Sequence, residues 1–200
     1  MVIEGAIRLN RFGLERGKLW PAVAMAIAIF APLVTWAGAN SLVSGDEELP
    51  RGYQITLTGT PAPMAPPGTG TVELTIPDEG WSLDVAGAST EEVTLVHDPL
   101  TLRVTSVAGV EDLKRTFSRQ KRELADDKPA LFVTDAKPYS ASKGLDGLWG
   151  DLTGERYGGA LIVVGQDSAA AVVKMTAPLG QLDGEYGDVS EILSTMEVRT

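Results

Sequence analysis

Side chains that could perform catalysis are few in this 200-residue sequence, which has no cysteine and one histidine, His97. Without cysteine there is no thiol nucleophile, disulfide framework, iron–sulfur cluster or cysteine-linked lipid anchor. A single histidine makes a zinc site very improbable, and the Gly-x-Ser-x-Gly elbow of a serine hydrolase is missing. His97 ends an apparent strand and is predicted to lie at the surface or at the edge of the core.

Carboxylates offer two further places for chemistry. Asp126 and Asp127 are adjacent, but they follow a predicted helix in a polar turn, where both would be solvated and ordinary. The acidic segment 183–188 lacks the register of a calcium loop, and its acids suit a helix N-terminus. Phosphate-binding glycine loops are absent as well. We therefore predict no catalytic residue, no metal ligand, no cofactor and no enzymatic activity.

Charge supplies a different kind of candidate site. The chain has 17 basic and 27 acidic residues, a net charge of −10 that repels nucleic acid. Against this acidic background, one predicted helix (residues 111–124) carries five cations: Lys114, Arg115, Arg119, Lys121 and Arg122. They form either a solvated helix face or a docking site for an acidic partner.

Trp81 and Trp149 are the candidate aromatic residues of the C-terminal part. Each either anchors the core or lines the rim of a groove, and the sequence leaves both open. A deep apolar cavity beside either would favour a lipid or small-molecule binding module.

The element that positions all of these residues is a near-continuous apolar segment, residues 19–43, without Asp, Glu, Lys, Arg or His. About 20 apolar residues cross a hydrocarbon core of roughly 30 Å, so a transmembrane helix is predicted. Residues 1–18 hold four basic and two acidic residues, which predicts a cytoplasmic amphipathic segment and an extracytoplasmic C-terminal domain at the cell membrane. The alternative is a signal peptide cleaved after Ala39. The apolar run of this sequence is longer than the roughly 7 to 15 residues of a signal peptide's hydrophobic region.

Small residues recur along one side of the predicted span, at three- and four-residue spacing: Ala24, Ala28, Ala31, Thr35 and Gly38. Such a stripe lets a second helix approach closely, and close packing drives helix association in lipid. The alternative is chance spacing in an Ala-rich span. The stripe leans toward packing against another integral membrane protein, with membrane lipid around the remaining surface.

The extracytoplasmic part is predicted to begin with a linker, residues 44–70. Its second half, residues 59–70, contains four prolines and three glycines, which disfavour helix and interior strand and predict an extended spacer. Residues 53–58 alternate with a period of two and predict a short edge strand. The folded domain is predicted to cover residues 71–200.

Within this domain, alternation and turn residues predict an α+β fold with an antiparallel sheet and two main helices. Hairpin connections are expected at 157–160 and 165–168, because glycine and polar residues cluster there. Strands are predicted at 72–76, 81–86, 93–97, 100–107, 131–136, 148–157, 160–164 and 169–177, and helices at 111–124 and 184–196.

Four stretches of the domain carry a family resemblance: residues 145–154, the hairpin into 160–164, residues 170–178 and the closing 192–198. Their order resembles the PsbP-type fold, which also occurs in actinobacterial envelope lipoproteins of the LpqN type. The resemblance implies an α/β/α sandwich and, for PsbP-type photosystem subunits, accessory attachment to a large membrane complex. It implies no shared catalytic residues. This chain differs by a predicted span where those lipoproteins have a lipidated cysteine.

Together these observations predict a non-enzymatic, single-pass membrane protein. We expect an accessory or assembly subunit of a cell-envelope complex, with integral membrane subunits as partners and, by analogy, the actinobacterial respiratory supercomplex as one candidate. The alternative is a membrane-anchored module that binds lipid or a small molecule outside the cell.

Overall fold

The computed structural model describes residues 46–61, 69–127, 131–140, 145–181 and 186–200. The predicted cytoplasmic segment, the predicted span with its stripe of small residues, and residues 62–68 of the predicted linker lie outside these ranges. In the part that is described, no helix is long and apolar enough to cross a membrane. Residues Asp46–Thr200 form one compact unit.

This unit consists mainly of strands, and every pairing between them is antiparallel. Its elements in chain order are β1 (Asp46–Glu48), β2 (Gln54–Gly59), β3 (Gly70–Thr75), β4 (Ser82–Asp84), a 3-10 helix (Val85–Gly87), β5 (Glu92–His97), β6 (Leu100–Ala108), α1 (Leu113–Asp127), β7 (Leu131–Val133), β8 (Lys137–Ser140), β9 (Asp146–Gly154), β10 (Tyr157–Gln166), β11 (Ala169–Pro178), α2 (Tyr186–Thr195) and β12 (Glu197–Arg199). The predicted α+β class, with an antiparallel sheet and two helices, is confirmed.

A large sheet forms the centre of the unit, in the order β1-β4-β5-β6-β11-β10-β9-β7, with β8 also paired to β9. Strands β10 and β11 lie in its middle and are buried on both faces. Their near-continuous runs of Ala, Val, Ile and Leu explain this position, because a central strand covered on both sides needs apolar side chains in both directions.

A smaller sheet, in the order β12-β3-β2, packs against one face of the large sheet. Its strands alternate: Leu57, Val72 and Val198 are buried, whereas Thr56 and Glu73 face outward. This period-two pattern is what a sheet with one buried face requires. Helix α2 contributes Ile192 and Leu193, among others, to the same core.

The opposite face of the large sheet is covered by α1. Phe117 and Leu124 of the helix pack with Leu161 and Val163 of β10 in a second apolar cluster. Two cores therefore lie on the two sides of one sheet. The layer opposite α1 contains α2 and the small sheet. The small sheet is not part of the expected α/β/α arrangement.

One predicted connection is wrong. Residues 157–160, expected as a hairpin turn, belong to β10, and the connection from β9 consists of residues 155–156. A Cβ at Gly159 would lie 1.9 Å from the Met175 carbonyl oxygen, so this glycine permits close strand contact. The other predicted hairpin is confirmed, with its turn at Asp167, where φ is 53°.

The folded unit also begins earlier than the predicted boundary at residue 71. β1 pairs with β4, and Leu49 and Leu57 are core residues with 4% and 2% exposure. Residues 46–61, which we expected to form the first part of a linker, therefore belong to the domain. The predicted strand at 53–58 is present as β2.

Candidate interaction surfaces

Helix α1 separates an apolar inner side from a cationic outer side. Phe117 is 2% exposed and Leu124 is 9% exposed, so these residues fix the helix to the sheet. Of the five predicted cations, four are exposed and Lys121 is half-buried. Three exposed arginines, at the i, i+4, i+7 spacing that aligns side chains along a helix, are here called the arginine crest: Arg115, Arg119 and Arg122.

The contacts of the arginine crest are local and open to solvent. They are Arg115 with Glu111 (3.4 Å), Arg119 with Glu123 (3.7 Å), and Arg122 Nε with the carbonyl oxygen of Ser118 (3.3 Å). Exposed ion pairs contribute about 0 to 1 kcal/mol, because water screens them and two long side chains must be ordered. The contacts that the three arginines make within α1 are therefore weak.

Lys121 has a different role from the crest. Its Nζ lies 3.1 Å from a carboxylate oxygen of Asp135 and donates to the carbonyl oxygen of Thr134 at 3.4 Å. Both acceptors lie in the chain between β7 and β8. Lys121 therefore ties α1 to the edge of the large sheet.

The chain between β7 and β8 is a bulge. β7 and β8 both pair with β9, and residues 134–136 lie opposite two residues of β9. Thr134 holds the bulge in place: its N–H donates to the Asp151 carbonyl at 2.9 Å, and its hydroxyl accepts from the Asp151 N–H at 2.8 Å.

Trp149 lies on the β9 face opposite α1 and packs against the core at its margin. Its indole N–H donates to Asp151 at 2.9 Å, and the Lys137 ammonium donates to the other carboxylate oxygen at 2.9 Å. The hydrogen bond from Trp149, followed by that from Lys137, lowers the pKa of Asp151. The Tyr139 ring lies 5.7 Å from the Trp149 ring, and burial raises the Tyr139 pKa.

Phe132 continues this surface along the edge. It pairs directly with Thr153 of β9, and paired residues share a face, so Phe132 lies on the same face as Trp149. Its side chain is 71% exposed. Phe132, Tyr139 and Trp149 are here called the aromatic edge. Sequence reasoning identified only Trp149; the signal for Phe132 was an aromatic residue between two inward-facing residues of a short strand.

Trp81 resolves differently from Trp149. It is 2% exposed, and its ring stacks on His97 with 5.0 Å between centroids. Gly80, with φ of 93°, makes this arrangement possible, because a Cβ there would lie 3.0 Å from the His97 ring. Trp81 is thus a core residue, and His97 lies against it at the margin of the core.

The described ranges contain no group of three or more His, Asp or Glu residues that could hold a metal ion. One cavity of the described part, of about 150 Å³, lies beside Trp81 and His97 and has Glu191 in its lining. One of about 400 Å³ lies on the outer face of the small sheet, beside Thr56, Glu73 and Arg199. Another, of about 320 Å³, lies at the start of α1. Asp126 is exposed, and residues 182–185 of the acidic segment lie outside the described ranges. Each of these three cavities has charged side chains in its lining.

No protein-family model and no curated protein matches this sequence. Several solved structures are similar to it, including these two. A protein from Bacteroides thetaiotaomicron VPI-5482 is 15% identical with a TM-score of 0.45, and the match covers 64% of this chain and 45% of that one. The solution structure of cyanobacterial PsbP (CyanoP) from Synechocystis sp. PCC 6803 is 15% identical with a TM-score of 0.48, and the match covers 64% and 86%. This similarity concerns the fold alone. The LpqN-type resemblance stays a prediction.

Proposed function

We propose that this protein is a non-enzymatic, single-pass protein of the cell membrane whose extracytoplasmic domain binds a protein partner, as an accessory or assembly subunit of a larger complex. In this proposal residues 19–43 span the membrane, and their stripe of small residues packs against a helix of the partner. The observation that carries the proposal is the aromatic edge.

The aromatic edge has the composition of a protein contact. Phe132 is 71% exposed, and removing a Phe side chain from water stabilises a complex by about 2 kcal/mol. On the same face, Trp149 packs on the core and donates to Asp151, and Tyr139 packs on Trp149. Trp149 lies four positions before Thr153, the partner of Phe132, which is about 13 Å along β9. Aromatic side chains with few freely rotating bonds dominate many protein interfaces, because they bury a large area at low entropic cost.

The backbone of this edge is poorly suited to pairing with another strand. The bulge at 134–136 interrupts it, and Pro138 of β8 cannot donate a hydrogen bond. Charged Asp135 lies within the bulge, and charged Lys137 lies between the bulge and Pro138. Such features protect edge strands from indiscriminate strand addition. The partner therefore contacts the side chains of the aromatic edge rather than extending the sheet.

The complex to examine first is the actinobacterial respiratory supercomplex, an assignment that rests on analogy with its small accessory subunits. Affinity purification of the tagged full-length protein from its native membrane in mild detergent tests the proposal. Mass spectrometry should find integral membrane subunits in stoichiometric amounts and an N-terminus at Met1, or at Val2 after removal of the methionine.

The substitution Phe132→Ser tests the surface itself. We expect the recovery of these subunits to fall by roughly tenfold, which corresponds to about 1.4 kcal/mol. Tyr53→Ser is the matched control: Tyr53 is 44% exposed and directly precedes β2 of the small sheet, whereas β7 and β8 belong to the large sheet. A mature N-terminus at Asn40 without companion subunits would contradict the proposal.

A further inference from the structure

We propose that the arginine crest of α1 binds an acidic segment of the partner protein, with carboxylates spaced over about 10 Å. The inference rests on the proposed function, because it names the chemistry of that partner. Arg122 lies seven positions after Arg115, and at 1.5 Å per residue the crest is about 10 Å long.

The crest is available for exchange. The pairs Arg115 to Glu111 and Arg119 to Glu123 are exposed: the two arginine side chains retain 79% and 47% of their surface. Their loss costs little, since water and salt already screen them. A guanidinium can then make two parallel hydrogen bonds to one carboxylate of the partner, an interaction stronger than a neutral hydrogen bond.

Charge complementarity favours an acidic segment of protein over an anionic bilayer. The chain carries a net charge of −10, and acids lie at both ends of the crest: Glu111 and Asp112 before it, Glu123 and Asp126 after it. A flat anionic surface would meet these acids together with the arginines. A narrow acidic segment along the crest meets fewer of these acids, and it replaces Glu111 and Glu123 as the partners of Arg115 and Arg119.

Lys121 lies outside this site although it is one of the five cations. Its ammonium is already engaged by Asp135 and by the carbonyl oxygen of Thr134. Substitution of Lys121 weakens the attachment of α1 to the sheet edge. It affects partner binding only indirectly, through that attachment. Three of the five cations thus form the crest, Lys121 is a structural contact between α1 and the sheet edge, and exposed Lys114 belongs to neither.

The test compares two triple variants of the tagged full-length protein in the same membrane purification. The first carries Arg115→Gln, Arg119→Gln and Arg122→Gln. The control carries Arg51→Gln, Arg156→Gln and Arg199→Gln, which are exposed arginines elsewhere in the domain and give the same change in net charge. Equal melting temperatures establish that both variants fold.

We expect the crest variant to recover at least tenfold less partner, while the control recovers as much as the wild type. Recovery by the wild type should also fall steeply between 50 and 300 mM NaCl, because salt weakens exposed charge pairs. Partner recovery unchanged in the crest variant but lost in Phe132→Ser would overturn the crest and leave the proposed function standing. A wild-type protein without any companion would overturn both.

A photo-crosslinker identifies the occupant. Ser118 is exposed and lies between the crest residues, so Ser118→p-benzoylphenylalanine places the reactive group within the crest. We expect the crosslinked peptide to contain at least three Asp or Glu residues within a stretch of about seven residues. Crosslinking to lipid, or to a neutral or basic segment, would refute the proposal.

Discussion

Helices α1 and α2 lie on opposite sides of the large sheet and use their surfaces differently. In α2, Val189, Ile192 and Leu193 are at most 1% exposed and fill the larger core. The hydroxyl of Thr195 donates to the Thr75 carbonyl and accepts from the Thr75 N–H, both at 3.0 Å, which binds the end of α2 to the small sheet. Helix α1 instead buries a narrow stripe and displays its charges.

This difference separates stability from recognition. A helix that fills a core tolerates few substitutions on its buried side, because each buried side chain packs closely against many neighbours. A helix fixed by Phe117 and Leu124 leaves its outer residues available for a partner. We therefore expect substitutions in α2 to act on the free energy of unfolding, and substitutions in the arginine crest to act on binding.

The largest expected effect is that of Ile192→Ala in α2. Ile192 is 0% exposed, and removing its methyl and methylene groups leaves a cavity, which should lower the free energy of unfolding by about 2 to 5 kcal/mol. Urea denaturation of the domain from residue 46 onward measures this. Ser190→Ala, at an exposed position two residues earlier, should change the value by less than about 0.5 kcal/mol. If the two variants had similar free energies of unfolding, α2 would not stabilise the domain through its buried side.

Two glycine substitutions sharpen the comparison. A Cβ at Gly150 would lie 2.6 Å from the Phe117 ring and 3.1 Å from the Thr134 carbonyl oxygen. Gly150→Ala should therefore disturb the packing of α1 on the sheet and lower the free energy of unfolding by about 1 to 3 kcal/mol. At Gly187 of α2 no atom lies within 4 Å of a new Cβ, and Gly187→Ala should stabilise the helix by about 0.5 to 1 kcal/mol. Opposite signs in urea denaturation are the expected result.

Local patterns in the sequence were sufficient for much of the large sheet. The strand predicted at 100–107 is observed as Leu100–Ala108, because its alternation reflects one face on the core. The same local reasoning failed at 157–160, where the glycines predict a turn. Gly159 instead permits close contact with β11, a neighbour that the local pattern does not reveal.

Pairing between distant residues could not be predicted. The small sheet joins β2, β3 and β12, so residues near 72 lie beside residues near 198. The sequence did identify the exposed cations of α1, because their spacing is local. It could not separate Lys121 from the crest, since that requires the position of Asp135 beyond the end of the helix. The aromatic edge depends on the pairing of Phe132 with β9 for the same reason.

A smaller effect should distinguish Lys121 from its neighbours on α1. The Lys121 to Asp135 pair at 3.1 Å is partly exposed, so Lys121→Gln should lower the free energy of unfolding by about 0.2 to 1 kcal/mol. A double-mutant cycle with Asp135→Asn measures the coupling of the pair. Lys114→Gln is the control and should have no measurable effect. Coupling as small as the experimental error would mean that Lys121 does not tie α1 to the bulge.

The smallest effect concerns pH at the aromatic edge. Hydrogen bonds from Trp149 and then Lys137 lower the pKa of Asp151 below that of the unfolded chain, about 3.9 for Asp. The carboxylate therefore contributes its full stability above that value and loses it as the pH falls through the folded-state pKa. Asp151→Asn should be slightly less stable than the wild type at pH 7, and the difference should shrink below about pH 4. Urea denaturation at pH 7, 4 and 3 tests this, and a constant difference would show that Asp151 does not hold Trp149 and Lys137 through its charge.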